Sequence, residues 1–399
     1  MRRSYFHLCA LASGVLLALG VGSCVEPYLP EVDNANANFL VVDGFINGNG
    51  RSTFLLSRSL NLATTTAPPP EKGAKVYLVD NAGGRYPLPE KVSGTYQSDS
   101  LVLNPSRQYQ LSILTSANAS YTSDLTPLKV TPPIDKLGFQ LADGQVQLVA
   151  SAHDASAQTK YYRWSCVETW EFNAAFGSAL EYFPLKNGSN GNVFIDIRTT
   201  PIYTCWRTER PTDIVQTTSA QLGQDAISNY VIRSFSQRAE RVKVRYSVLV
   251  SQVAETAEEF AYREVLRKNT EAVGTVNDPL PSQLTGNVHR VGNTTEPVLG
   301  FVGAHTVQQQ RLFIAKADLP ARDPYDYDTP YNTCVASDIP FCDAQGCDVE
   351  GVYKLFASPD YVPLDFVAIP GSSMGGISSA SADCADCRRR GSNVKPSFW

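Results

Sequence analysis

The run Phe39-Leu40-Val41-Val42-Asp43-Gly44-Phe45-Ile46 ends in Asn47-Gly48-Asn49-Gly50, and reading it as a strand entering a hairpin turn decides the fold. Branched and aromatic side chains favour the pleated chain, and Asn-Gly steps favour the positive φ of a tight turn between antiparallel strands. Short extended runs recur C-terminally: Ser52 to Ser57, Ala74 to Val79, Gly94 to Tyr96 and Gln108 to Leu114. Pro68-Pro69-Pro70 and Asn81-Ala82-Gly83-Gly84 bracket Lys75 to Val79 and isolate it as one strand. Strands at this spacing with no helical period between them predict an immunoglobulin-like β-sandwich over 38–132, ending at Pro132-Pro133.

A second, larger β-sandwich is expected over 133–317. Tyr162, Trp164, Cys166, Trp170 and Phe172 alternate with Arg163, Ser165, Thr169 and Glu171, the period of a strand with one buried face. That alternation turns Cys166 inward and makes Cys205, beside Trp206, its expected disulfide partner. Lys186 to Asn192 reads as a loop. Val242, Val244, Tyr246, Val248 and Val250 repeat the alternation. One docked α-helix is predicted over 254–272: Ala257, Ala261 and Val265 recur at i+4, and Glu255, Glu258 and Glu259 sit at its positive end. Strands are then expected at Val298 to Ala304 and Gln310 to Ala315, the latter completing the second sandwich. The remainder, 318–399, reads as an irregular cysteine-rich region. The fold class is mainly β.

Upstream of the first strand, Arg2 and Arg3 precede an apolar run from Leu8 that closes on Val21-Gly22-Ser23-Cys24. A charged start, a short apolar core and small residues before a cysteine predict a lipoprotein signal peptide over 1–23, with Cys24 as the lipidated first mature residue. Residues 24–37, rich in Pro, Asn and acid, read as a tether. No apolar run after Cys24 is long enough for a membrane span, so the expected anchor is the lipid. The 34 Lys and Arg stand against 39 Asp and Glu, a formal net charge of −5, which excludes a basic nucleic-acid surface. Beyond Cys9 and Cys24 the cysteines are Cys166, Cys205, Cys334, Cys342, Cys347, Cys384 and Cys387. In an oxidising compartment they should mostly pair, leaving one thiol over.

Cys24-Val25-Glu26-Pro27-Tyr28, LVVDG at Leu40 to Gly44, NDPLPSQLTGNV at Asn277 to Val288, PVLGF at Pro297 to Phe301 and the closing CADCRRRGSNVKPSFW from Cys384 carry a family resemblance. With these markers in order, the chain resembles the Bacteroidota lipoproteins of domain-of-unknown-function family 4249. The resemblance implies an outer-membrane lipoprotein facing the periplasm or the cell surface, of a family whose genes often lie near those of TonB-dependent receptors, and no catalytic or ligand residues to transfer. The expected function is therefore a non-enzymatic accessory or ligand-binding partner of a TonB-dependent transporter, with no cofactor. A structural or adhesive surface lipoprotein is the alternative, and a hydrolase the third reading.

Four local patterns bear on chemistry. Gly371-Ser372-Ser373-Met374-Gly375 matches the G-x-S-x-G nucleophile elbow, but His153, His289 and His305 all precede Ser373 and no βα alternation surrounds it, so a Gly/Ser loop is expected. Cys384-Ala-Asp-Cys387 with Cys342 and Cys347 has the ligand types of a zinc ribbon; in an exported chain, bridges from Cys334 or Cys342 to Cys384 or Cys387 are favoured instead. Asp323, Asp326 and Asp328 supply calcium-type oxygen donors without EF-hand spacing, so no metal is assigned. Phe176, Tyr182 and Phe183, off the periodic face and ahead of the loop at Lys186, are the aromatic ligand-binding candidates for a sugar or peptide.

Overall fold

The computed structural model of the chain describes residues 38–60, 66–184, 194–271, 284, 286–293 and 295–399. The expected lipidation site at Cys24, the tether and the Lys186 to Asn192 loop lie outside the described residues. Nine strands build the N-terminal part: β1 (Leu40–Asn47), β2 (Thr53–Arg58), β3 (Lys75–Asp80), β4 (Arg85–Leu88), β5 (Glu90–Val92), β6 (Thr95–Gln97), β7 (Gln108–Leu114), β8 (Ser120–Ser123) and β9 (Thr126–Pro127). They form two sheets, ordered β1-β2-β6-β5 and β8-β7-β3-β4. Phe45 opposes Thr53 in the β1–β2 register, so the Asn-Gly segment is the hairpin turn that its sequence demands. Alternate residues fill the space between the sheets: Leu40, Val42 and Ile46 from β1, Phe54 and Leu56 from β2, Leu111 and Ile113 from β7. Burying side chains of this size stabilises by about 1.5–3 kcal/mol each.

The chain continues through β10 (Lys136–Ala142), β11 (Gln145–His153), β12 (Tyr161–Asn173), β13 (Leu180–Phe183), β14 (Phe194–Ile197), β15 (Thr204–Glu209), β16 (Val215–Thr218), β17 (Ala226–Ser236) and β18 (Arg245–Ala254) to helix α1 (Ala257–Glu271). It then passes β19 (Val288–Arg290), β20 (Ala304–His305) and β21 (Val307–Ala315). Sheets β10-β11-β17 and β15-β12-β18-β21 contribute to a second core around Trp164, Phe172, Tyr246 and Val250. The alternation read on Tyr162 to Phe172 holds, with Tyr162, Trp164, Cys166, Trp170 and Phe172 all buried.

Two expectations are corrected. Val298 to Ala304 is not a strand of the second sandwich. Ala304–His305 runs parallel to β1 and Leu299 forms a parallel bridge to Val41, while Val298 and Val302 fill the first core and β19 pairs with β8. Glycine permits this approach: Gly300 sits at φ +128°, and a Cβ there would stand 2.0 Å from the Val42 carbonyl oxygen. The region from residue 318 is not irregular either. It carries β22 (Ser337–Pro340), β23 (Cys342–Asp343), β24 (Gly346–Cys347), α2 (Val349–Leu355), β25 (Tyr361–Val367) and β26 (Gly376–Ser381), with a β22-β26-β25 sheet. Phe341, Val352, Phe356 and Ile377 of this region share a small core with Leu180 and Ile195 of the β13–β14 hairpin.

The disulfides are Cys205–Cys387, Cys334–Cys384 and Cys342–Cys347, and Cys166 is free and buried. The expected Cys166–Cys205 bridge is therefore replaced. Cys205 is on a neighbouring strand and bonds the C-terminal segment, whereas Cys166 points into the sandwich. Burial first, and the Glu168 carboxylate second, push the Cys166 thiol up to about 12. Because the thiolate is the reactive form, iodoacetamide at pH 8 should leave Cys166 unmodified in the folded chain and alkylate it after unfolding. Peptide mapping by mass spectrometry checks this, and native labelling at Cys166 would refute its burial.

Candidate functional site

Helix α1 begins where β18 ends. The Thr256 hydroxyl accepts the Glu259 N–H at 3.1 Å, the N-cap arrangement that satisfies one of the helix's orphan donors. Glu259 holds the third helical position, from which a glutamate commonly reaches back to the cap. Here it turns inward instead, one turn before Arg263, and the two meet at 3.1 Å. Arg263 Nε also donates to Glu255 Oε1 at 3.0 Å, and Arg163 of β12 bonds the same oxygen. His305 of β20 places Nε2 3.7 Å from Glu259 Oε1, and its ring packs on Phe45 of β1 with centroids 4.4 Å apart.

Two buried carboxylates, Glu255 and Glu259, each 1 % exposed, thus meet two partly buried guanidinia. Burial raises the pKa of Glu255 above the usual carboxylate range. Burial acts the same way on Glu259, but His305, Arg263 and Arg163 outweigh it and hold that carboxyl low. The cluster needs a glycine as a neighbour: a Cβ on Gly303 would lie 2.1 Å from Glu259 Oε2. Arg163 Nη2, Glu255 Oε2, Glu259 Oε2 and both ring nitrogens of His305 have no hydrogen-bond partner among the described residues.

Above this base lies an open cleft of about 690 Å³, lined by Asp124, Leu125, Lys129, Lys160, Tyr161, Glu255, Thr256, Ala257, Glu258 and Phe301. A second hollow of about 700 Å³ shares Lys129 and Gln158 with it and continues past Pro132 and Pro133 to His153 and Asp154. Asp154 shapes that rim by accepting the Ser156 hydroxyl at 2.6 Å, the Ser156 N–H at 2.9 Å and the Thr159 N–H at 2.9 Å. Burial alone would raise its pKa; these donors prevail and hold it at about 2. A depressed carboxyl stabilises above its unfolded value near 4 and loses that contribution as pH falls through the folded value. The turn should accordingly stay intact at pH 4 and open as pH approaches about 2. Backbone amide shifts of Ser156 to Thr159 followed by NMR check the window, and opening centred above pH 4 would contradict it.

The residues singled out from sequence do not gather at this cleft. Tyr182 and Phe183 lie in strand β13 rather than a loop, Tyr182 half-buried against the small core of Phe341 and Ile377. Phe176 packs beside Val362, Leu364 and Ala380. Tyr182 and Phe176 therefore pack against two different small cores and do not share a platform. Asp323 caps a short 3₁₀ turn through the Tyr325 N–H, Asp328 pairs with Arg238 at 3.3 Å, and Asp326 is exposed. Among the described residues no group of three or more His, Cys, Asp or Glu is placed to hold a metal ion. Ser373 sits in the turn between β25 and β26 with its hydroxyl 3.6 Å from the Cys342 sulfur. His153, His289 and His305 are engaged instead by Asp135, Asp124 and Glu259.

Sequence reasoning missed Arg163 as a partly buried, ion-paired group. It stands on the outward face of β12, as its odd position implies, and α1 then covers it. The available signal was Glu259 and Arg263, four apart on one helical side, with Glu255 four residues before them and just outside the helix.

A family model described as Domain of unknown function (DUF4249) matches residues 25–311. No curated protein matches the sequence. Among solved structures, the Yersinia pseudotuberculosis adhesin InvE is similar at 14 % identity and a TM-score of 0.14, over 55 % of this chain and 57 % of the adhesin. A likeness at that score carries no argument about the fold or the function.

Proposed function

We propose that this chain, which belongs to the DUF4249 family, is a lipid-anchored, non-enzymatic binding module of a bacterial outer membrane, working beside a TonB-dependent transporter. The observation that carries the reading is the cleft at the start of α1, where apolar walls and both signs of charge stand over an ion-paired, close-packed base. Rigidly held polar groups of this kind select a ligand by orientation and need no bond-making chemistry. The leader ending at Cys24 supports the address, and the described part of the chain contains no helix long and apolar enough to cross a membrane.

The test is recovery of partners from membranes that express the full chain, with Cys24→Ser as the unanchored control. Mass spectrometry should find an acylated Cys24 at the amino terminus and a TonB-dependent receptor among the captured proteins. An unmodified leader removes the address, and repeated capture without any such receptor removes the partnership. A strain lacking the protein that loses surface attachment while keeping uptake would favour the adhesive reading instead.

A further inference from the structure

We propose that the Cys342–Cys347 bridge is a redox modification site, which a dithiol reductant opens selectively and whose opening frees the lip of a hollow beside α2. The site shares no residue with the cleft at α1. The bridge joins β23 to β24, where Cys342 is paired with Cys347 and Asp343 with Gly346. Access separates it from the other two bridges among the described residues. Cys347 is exposed, whereas Cys205 and Cys387 are wholly buried and Cys334 and Cys384 are half-buried. Loop length separates it as well: its cysteines stand 5 residues apart, against 50 and 182 for the others. A bridge that closes so short a loop withholds the least chain entropy from the unfolded state, so the fold can survive its opening.

Ser373 supplies an independent indication. From the turn between β25 and β26 its hydroxyl donates to the Cys342 sulfur at 3.6 Å. Thiol–disulfide exchange proceeds by attack of a thiolate on one sulfur while the other leaves with the bonding electron pair, and a stabilised thiolate leaves faster. The accessible sulfur is that of Cys347. A reductant thiolate therefore bonds to it and expels Cys342 as a thiolate, on which the Ser373 hydrogen bond becomes charge-assisted and stronger. The reductant's second thiolate then attacks the reductant sulfur of the mixed disulfide and releases the Cys347 thiolate. Two electrons have passed from the dithiol, now a disulfide, to the bridge, now two thiols, and the two protons lost by the reductant reach the protein sulfurs through water.

The bridge clasps a hairpin whose base is tied to the small C-terminal core. The Phe341 N–H donates to the Gly375 carbonyl at 3.0 Å, and the Asp348 N–H donates to the Phe341 carbonyl at 2.9 Å. Asp348 in turn caps α2 by accepting the Gly351 N–H at 2.8 Å, and Asp343 accepts the Gln345 and Gly346 N–H groups at 2.8 and 3.2 Å. A hollow of about 600 Å³ lies between this hairpin and α2, lined by Phe341, Gln345, Cys347, Val352 and Leu355. Strands β23 and β24 have two residues each, too few to hold a hairpin by ladder hydrogen bonds alone. Reduction should thus loosen Gln345 to Cys347, the lip of the hollow, and leave its base in place.

The probe is dithiothreitol, applied at pH 8 to the full chain in detergent, with iodoacetamide quenching at intervals and peptide mapping by mass spectrometry. Cys342 and Cys347 should be alkylated about tenfold sooner than Cys205 and Cys387, with Cys334 and Cys384 between them. Ser373→Ala should slow opening of the Cys342–Cys347 bridge about fivefold without changing the rate at Cys334–Cys384, and Ser373→Thr should restore the native rate. Amide hydrogen exchange over 342–351 should quicken about tenfold on selective reduction while both sandwiches keep their native rates. The double variant Cys342→Ser, Cys347→Ser should show the same quickened exchange without reductant. Simultaneous opening of all three bridges, or earlier opening of another, overturns the proposal, as does a Ser373→Ala rate equal to the native one. Exchange over 342–351 that neither reduction nor the double variant alters overturns it too.

Discussion

Glu259→Ala is expected to lower folding stability by about 3 kcal/mol, because removing one buried carboxylate strands positive charge that is largely withdrawn from water. Arg163 and Arg263 would be left to share Glu255 alone, with Glu255 and Arg263 on one side of the base and Arg163 covered by the helix. Glu259→Gln keeps the shape and loses the charge, so it should fall between alanine and the native residue. The double variant Glu259→Ala with Arg263→Ala removes a charge of each sign and should cost less than the two single losses added together, as coupled neighbours do. Chemical unfolding midpoints of the native protein, the three single variants and the double variant check the prediction. A single-variant loss below about 1 kcal/mol, the range of exposed ion pairs, would mean that the cluster is solvated. Thr256, Ala257 and Glu258 form the cleft wall at the start of the helix that this cluster holds, so loss of the base should also loosen the proposed recognition surface.

The second large effect is expected from the Cys205→Ala, Cys387→Ala pair. This bridge spans 182 residues and ties β15 to the turn at Cys387. Cross-links that close long loops remove the most chain entropy from the unfolded state, so a loss of about 3–5 kcal/mol is expected. Neighbouring contacts hold the same segment more weakly: Arg390 donates to Glu240 at 2.6 and 2.8 Å, Trp206 and Ser392 exchange backbone hydrogen bonds, and the Trp399 indole N–H donates to Glu171 at 3.1 Å. Limited proteolysis should therefore cut the C-terminal segment first in the variant, before the sandwich core is attacked. Native-like protease resistance together with an unchanged unfolding midpoint would show that these polar contacts suffice without the bridge.

Much of the architecture was legible because strand periodicity is local. The alternation from Tyr162 to Phe172 names its own buried face, Asn47 to Gly50 names its own turn, and the predicted helix over 254–272 appears as Ala257–Glu271, residue 272 lying outside the described residues. The candidate site was far less legible. Its charged residues come from β12, the end of β18, α1 and β20, and no spacing rule links positions 163, 255, 263 and 305. Aromatic side chains drew attention to Phe176, Tyr182 and Phe183, yet an aromatic residue is as suited to a core as to a ligand, and only neighbours decide which.

By itself the sequence determined a mainly β chain, one principal helix and the faces of the longer strands, since each follows from side-chain period and turn chemistry within a dozen residues. Tertiary structure alone decided that Val298 to His305 returns to the first sandwich, that Cys205 bonds Cys387 rather than Cys166, and that Arg163 is paired with Glu255. The physical reason is the same in each case: these outcomes depend on which distant surfaces exclude water together, and such contacts join residues far apart in the chain.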